Sequence, residues 1–498
     1  MVRKKFETGL LLSVLLIGSI LIFYMLFHNL GEGYMISTDE AYHATNAYEM
    51  YKQSNWIVNT YKYAADYFNS KPPLCLDMMV ASFKLLGASS FAARFPSAVG
   101  GLFTVIAIIW FLFKRDNLFS AVLFPFIFAA CTPFFTFHMY RAADMDSFFN
   151  FFFVIAMISL YEMEFNPGFM YLYGISLGLA FMCKGPHAAL IFLIGLLYLP
   201  RIYKAFRSVK RVAISVFLAA VLPAAWMIKR SMFDGHKFID ALMVGETIER
   251  VNESSETFIK PIADFLTSNV MQLFIITLAI AASAMILIRL STHKKSITVV
   301  INFFEQNYLF LIWTAIPVLF FAVLRSYLDW YIYTSLLALC ILAAKVGGIV
   351  CECTDRRKPS SALITVGLIV AAAFLFIVPC IKDVINPAGT GGHPVDQFTE
   401  DMLDFAATYG NEYAGRNVYL LSDFRQYKAQ GHWECEYVAP AEMYCDFTAV
   451  DGGVENFLSD EGSLIIVDKD IWDDYSSKLA GHVILQDDSY LIFSSDKY

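Results

Sequence analysis

Charge is what this chain has little of. Asp, Glu, Lys and Arg make up 16% of its 498 residues, against 57% hydrophobic residues, and the mean hydropathy is +0.54. That composition excludes an ordinary soluble enzyme and describes an integral membrane protein. A Gly-rich turn of the dinucleotide-binding type is missing ahead of the C-terminus, so no nucleotide-sugar site is expected. There is no internal repeat and no low-complexity tract. The first apolar segment lacks a small-residue cleavage site and is followed by further spans, which excludes a simple signal peptide.

The nine cysteines carry little chemistry. Cys75, Cys131, Cys183, Cys340 and Cys380 sit in apolar runs and read as small buried hydrophobes. Cys351 and Cys353 form a C-x-C beside Arg356, Arg357 and Lys358, without the two further ligands that zinc would need. Cys435 and Cys445 lie in the polar C-terminal region, where a disulfide is open if that region is outside the cell.

The charge that is present is segregated. Residues 386–498 hold 21 acidic and 6 basic residues, net −15, which leaves +7 for the remainder of a chain at −8. This split argues against nucleic acid as a partner and sets an acidic domain apart from the membrane part.

The apolar runs have helical length, so a helical bundle is expected rather than a β-barrel. Spans are predicted at 10–28, 92–113, 117–138, 147–163, 169–183, 186–200, 210–228, 262–289, 307–324, 330–346 and 360–380. Arg3, Lys4 and Lys5 place the N-terminus in the cytoplasm. Later basic clusters, at Lys114-Arg115, 201–211, Arg289 to Lys295 and 356–358, then also fall inside. Residues 74–88 are apolar enough for another crossing or a membrane-lying helix.

After residue 385, β-like runs at 417–421, 463–467, 482–486 and 490–493 are separated by Asp and Gly turns. The expected fold is mainly α: a polytopic membrane helical bundle of about 11–13 transmembrane helices. A small α/β domain follows it on the extracytoplasmic side. The corresponding domains are 1–385, with an external loop at 29–73, and 386–498.

The candidate chemical groups collect on the external face of that topology. Asp39-Glu40 follows the first span; a carboxylate beside the bilayer suits a base acting on a lipid-linked substrate. The spacing of Ala41, Ala44, Tyr48 and Tyr51 predicts a helix, and Ser37 with Glu40 fits a capping box. Glu40 therefore has a structural reading as well as a catalytic one. Lys71-Pro72-Pro73 holds a lysine at headgroup level, as a snorkelling anchor or a phosphate ligand.

Arg141, Asp144 and Asp146 stand where a span leaves the membrane. The Asp-x-Asp fits a divalent cation or a local ion pair with Arg141. Lys184-Gly185-Pro186 interrupts two short apolar helices, and a lysine there suggests a ligand or phosphate contact. Arg250, Arg325 and Tyr331 each read equally well as site residues or as ordinary loop and span-end residues.

In order, these motifs resemble the membrane glycosyltransferases of the GT-C class, notably the protein O-mannosyltransferases and the lipid A aminoarabinose transferase. The resemblance covers residues 1 to 345. It rests on Asp39-Glu40, on Lys71-Pro72-Pro73, on Ala92-Ala93-Arg94-Phe95-Pro96-Ser97 as the family's Arg-x-Pro-Ser segment, on the Arg141 to Asp146 spacing and on Lys184-Gly185-Pro186. Two departures stand out. Glu246-Thr247-Ile248-Glu249-Arg250 lacks the family's His, and Tyr331-Ile332-Tyr333-Thr334 lacks its Pro.

The resemblance implies transfer, with inversion, of a sugar from a polyprenyl-phosphate lipid donor. The acceptor would be a hydroxyl or phosphate of a glycan, glycolipid or protein on the extracytoplasmic side. Asp39 would be the general base, with Glu40 the second catalytic residue, orienting donor or base. Lys71, Lys184, Arg141 and Arg250 would bind the donor phosphate, and Asp146, Asp144, Tyr331 and Arg325 would orient the reactants. It implies no metal and no cofactor. The expected setting is the bacterial inner (plasma) membrane and its lipids. A polytopic lipid or glycan transporter or flippase is the rival class, and a non-catalytic assembly protein a third. The loop charges on one face and the missing inverted repeat weigh against transport.

Overall fold

A run of Leu, Ile, Phe, Val and Ala cannot leave main-chain amides unpaired in lipid, so it folds as helix. The computed structural model describes residues 2–35, 37–244, 256–290, 297–355, 359–386, 394–422 and 432–497. Among the described residues, six helical runs are long and apolar enough to cross a membrane: Glu7–Phe27, Ser90–Arg115, Phe169–Arg207, Val209–Asp234, Asp329–Asp355 and Ser361–Ile385. The pair Lys260–Thr267 and Asn269–Ala284, bent by 53°, makes a seventh if counted as one broken span. Shorter apolar helices run Leu118–Ala129 and Tyr308–Leu324, and a helix of 17 residues runs Asp146–Glu162. The chain is an integral membrane protein.

Several bounds differ from expectation. The span expected at 117–138 stops as a helix at Ala129; Asn117 caps its start by accepting the Ser120 N–H, and a separate turn, Pro133–Thr136, follows. The apolar residues 74–88 form a helix, Leu74–Leu86, of 13 residues. At 1.5 Å per residue it extends only about 20 Å, too short to cross the roughly 30 Å hydrocarbon layer.

The contacts of the chain separate it into two compact units. One comprises Met1–Asn29, Ser70–Cys75 and Ser97–Asn386; the other comprises Leu30–Asn69, Leu76–Pro96 and Pro387–Tyr498.

In the first unit, ion pairs tie helix ends that the sequence places on one side of the membrane. Arg115 and Lys114 both reach the buried Glu162, and Lys345 pairs with Asp116 at 3.2 Å. The Phe169–Lys184 and Val209–Asp234 helices touch backbone to backbone. A Cβ on Gly174 would lie 2.4 Å from the Ser215 carbonyl oxygen, and one on Gly178 would lie 2.6 Å from that of Ala219. Small residues four apart give membrane helices this close approach.

The second unit is an α/β assembly. Its five-stranded sheet has the order β4-β3-β5-β7-β6, with β3 Asn417–Leu421, β4 Thr448–Ala449, β5 Leu464–Asp468, β6 His482–Asp487 and β7 Tyr490–Lys497. Strand β3 is parallel to β4 and β5, while β7 is antiparallel to β5 and β6. Alternation along β5 sends Leu464 and Ile466 to one apolar core and Ile465 and Val467 to another. The first core includes Phe398, Met402 and Phe405 of the Pro394–Tyr409 helix and Tyr437 and Val438 of the Cys435–Cys445 helix.

The disulfide left open between Cys435 and Cys445 is not formed; both thiols are free and buried. They begin and end one helix of 11 residues, about 15 Å apart, where a bridge needs Cα atoms about 4.4–6.8 Å apart.

The same unit contains the Thr38–Lys52 helix and a hairpin, β1 Thr60–Tyr61 with β2 Ala64–Ala65. Its turn residues Lys62 and Tyr63 both have positive φ, 52° and 57°, as a two-residue turn matched to strand twist requires.

Candidate functional site

The expected capping box at the start of the Thr38–Lys52 helix does not form. Ser37 is the N-cap residue but makes no side-chain cap bond. Glu40 instead turns inward to Arg94, with Nε to Oε1 at 2.7 Å and Nη2 to Oε2 at 3.1 Å. Arg94 Nη1 also donates to the carbonyls of Leu30, Glu32 and Gly33. The spacing that suggested a cap fits a buried carboxylate equally well. Asp39, one residue earlier, is exposed in the first helical turn, where the helix dipole favours its charge.

Lys184 and Asp146 form the centre of the first unit's polar cluster. Both carboxylate oxygens lie 2.6 Å from the ammonium, and both side chains are buried. Asp146 opens the Asp146–Glu162 helix and Lys184 closes the Phe169–Lys184 helix, so each charge also opposes the partial charge of its own helix end. Gly185 ends the second of these helices at φ 55° and ψ −127°, a conformation open to glycine alone. A Cβ there would stand 3.7 Å from Pro72 Cδ, so the Lys71-Pro72 turn lies beside the Lys184-Gly185 turn, with Lys71 half-buried.

Tyr331 belongs to this cluster. It lies on a 3-10 turn, Asp329–Ile332, with its ring centroid 5.0 Å from the Lys184 ammonium and 5.0 Å from the His187 ring. Asp146, Lys184, His187, Asn150, Trp330 and Tyr331 line a small cavity. Asn150 Oδ1 is buried there without a hydrogen-bond partner among the described residues.

The carboxylates of the Asp-x-Asp pair take different partners. Asp146 holds Lys184, whereas Asp144 holds His138 Nδ1 at 2.5 Å. His138 has φ 50° and stacks on the Trp330 indole with centroids 3.8 Å apart. Sequence reading missed His138. Its only signal was an isolated histidine three residues ahead of Arg141, at the end of the span expected over 117–138.

Arg141 caps a helix. Its guanidinium donates to the carbonyls of Met25, Leu26, His28 and Asn29, the orphaned acceptors at the end of the Val2–Phe27 helix. Arg325 is exposed at the C-cap of the Tyr308–Leu324 helix, in a left-handed conformation with φ 58°. Arg250 lies outside the described residues. The structure thus gathers Lys184, Asp146 and Tyr331, sets Lys71's turn beside them, and gives Glu40 and Arg141 other partners.

The family model for dolichyl-phosphate-mannose-protein mannosyltransferases matches residues 70–227. No curated protein matches the chain by sequence. Among solved structures, ArnT from Cupriavidus metallidurans bound to undecaprenyl phosphate aligns over 98% of both chains, with TM-score 0.70 and 14% identity. Its apo form aligns over 99% of this chain and 98% of that one, with TM-score 0.68. The apo oligosaccharyltransferase of Archaeoglobus fulgidus aligns over 94% of this chain and 71% of its own, with TM-score 0.52 and 13% identity. The resemblance carried by the motifs is borne out: the chain has a GT-C fold, a helical membrane bundle with a small sheet-containing domain.

Proposed function

We propose that this protein is a glycosyltransferase that moves a hexose or pentose from a polyprenyl-phosphate donor to a hydroxyl of a glycan, glycolipid or protein. The reaction takes place on the extracytoplasmic face of the bacterial inner membrane. Residues 1–385 supply the membrane transferase and 386–498 an extracytoplasmic domain. One observation carries the reading. The chain shares its fold, over nearly its whole length, with a transferase solved with undecaprenyl phosphate bound, and the charged motifs occur in the order that the fold's family uses.

The acceptor hydroxyl attacks the anomeric carbon from the side opposite the phosphate, so the configuration inverts. Asp39 takes the acceptor proton; its exposed place at a helix start leaves room for an acceptor. The phosphate leaves as its developing charge meets cations. Two N–H groups of Lys184 are directed at Asp146, and its third serves a phosphate oxygen. Lys71 and Arg250 are the other phosphate ligands. Tyr331 and Asp146 hold the Lys184 ammonium in place. The contacts of Arg141 support a positioning role, fixing the end of the first helix.

The test is transfer from a synthetic polyprenyl-phosphate sugar by purified protein in nanodiscs, with acceptors drawn from the cell envelope. Asp39→Asn should fold and bind donor while transfer falls by about 10²–10⁴-fold, the usual contribution of a positioned base. Transfer by Asp39→Asn at the wild-type rate would remove Asp39 as the base. Donor hydrolysis and transfer absent under every condition, with lipid crossing the bilayer instead, would favour a flippase.

A further inference from the structure

The helix that carries Asp39 is held along its length by the Cys435–Cys445 helix of the same unit. Thr38 Oγ1 donates to Glu436 Oε1 at 2.8 Å, and the Tyr48 hydroxyl and Lys52 ammonium both reach Asp446 at 2.8 Å. Between these contacts the helices present carboxyl groups to each other. Glu49 and Glu442 are each 0% exposed and stand within hydrogen-bonding reach.

Two carboxylates in this position have acceptors and no donor between them. Glu49 Oε2 accepts the Tyr63 N–H at 2.7 Å. Its Oε1 and both oxygens of Glu442 have no well-aligned donor among the described residues. The Thr60 hydroxyl and the Lys62 N–H beside Glu49, and the Ala449 N–H beside Glu442, come near enough to ease the burial of charge without completing those bonds. Among the described residues, no cation answers the pair either. The groups facing it are the phenols of Tyr42, Tyr48, Tyr61 and Tyr63 and the carboxyls of Asp66 and Asp446. The nearby ammonium groups of Lys52 and Lys62 pair with Asp446 and Asp451.

We propose that Glu49 and Glu442 share one proton, and that this bridged pair is the latch by which the C-terminal domain positions the Asp39 helix for transfer. Glu49 and Glu442 are then positioning residues, and the acidic domain is part of the catalytic frame. The proposal rests on the reading of Asp39 as the base.

Burial raises Glu49 to about 7 and holds Glu442 well above the ordinary carboxylate value of 4.5. A carboxyl whose value is raised in the closed state keeps a proton that the open state gives up. The latch is therefore at full strength below pH 4.5 and weakens as pH rises through about 7, until the shared proton is lost. At that point two buried anions repel, and the helix loosens.

The experiment follows amide hydrogen exchange of residues 38–52 and 435–445 in the full-length protein in nanodiscs, corrected for intrinsic rates, from about pH 6 to about pH 9. Transfer is measured across the same range. In the wild type, opening of these helices should grow by up to about tenfold per pH unit, as one linked proton requires, and transfer should fall in parallel. Glu442→Gln keeps a donor facing Glu49 but cannot lose it. With the new amide donating, Glu49 is held without a shared proton, so protection and transfer should depend on pH much less than in the wild type and match it at the acid end. Glu49→Gln should behave alike, and Glu442→Ala should be loose at every pH.

A Glu442→Gln protein that titrates like the wild type would overturn the proposal. So would Gln variants at both sites that lose protection at every pH. The exchange arm needs no chemistry at Asp39. If Asp39→Asn still transfers sugar while Glu442→Gln flattens the exchange profile, the base assignment falls and the latch stands.

Discussion

Arg94 grips Glu40 side-on, through two hydrogen bonds of 2.7 and 3.1 Å, with both side chains 8% exposed. The pair fixes the entry to the Thr38–Lys52 helix and, through Nη1, the loop before it. Removing either partner leaves the other charge buried and unanswered. Glu40→Ala and Arg94→Ala should each lose about 3–5 kcal/mol of stability, read from thermal unfolding in detergent. An Arg94→Ala protein melting like the wild type would show that the ion pair does not hold this helix entry.

Lys184 and Asp146 offer a comparison of the same kind with a functional readout. Lys184→Met leaves the Asp146 carboxylate without its counter-ion and should destabilise by about 3–5 kcal/mol. Adding Asp146→Asn should restore most of the stability and none of the donor binding. Titration with polyprenyl phosphate measures the second effect. Full donor affinity in the double variant would exclude Lys184 as a phosphate ligand.

Gly185 sets the direction in which Lys184 is presented. Gly185→Ala places a Cβ on a backbone at φ 55°, 3.0 Å from Leu242 Cδ1. The expected strain is about 1–3 kcal/mol. Because the strain falls beside Lys184, donor KM should rise while helix content by circular dichroism stays unchanged. Unaltered kinetics would show that the turn tolerates a side chain.

Gly174 and Gly178 seat the Phe169–Lys184 helix against carbonyls of the Val209–Asp234 helix. Gly178→Leu should drive the two apart and lower the melting temperature by several degrees, in line with an overpacking cost of about 1–3 kcal/mol. Gly367, which has open space around it, is the control and should accept Ala with little effect. Equal melting temperatures for the two variants would remove the close-packing argument.

What could be read from the sequence was whatever is local. The strand runs 417–421, 463–467, 482–486 and 490–493 were legible because β-rich apolar residues alternate with Asp and Gly turns; the observed strands begin within one residue of each. The turn at Lys184 was legible because Gly-Pro cannot continue a helix. Pairings set by tertiary structure were not. Glu40 matched a capping box in spacing, but its partner Arg94 comes from another helix, and burial decides between the two. Arg141 looked like a phosphate ligand because nothing in its neighbourhood reveals four unsatisfied carbonyls at the end of a helix far back in the chain. The span expected through 138 ended early because a run of apolar residues says nothing about where Thr132-Pro133 will turn it.

The contact of Pro72 with Gly185 also sets an order of assembly. The Lys71 turn is made early, on emerging from the ribosome, yet the Gly185 turn beside it exists only after that later segment has been synthesised and inserted. Until then the turn has nothing to rest on. A truncated or stalled chain ending before that point holds the lysine turn without the Gly185 turn that lies beside it. On the proposed function, the lysine turn that would meet a lipid phosphate therefore gains its surroundings late in biogenesis, with the later spans.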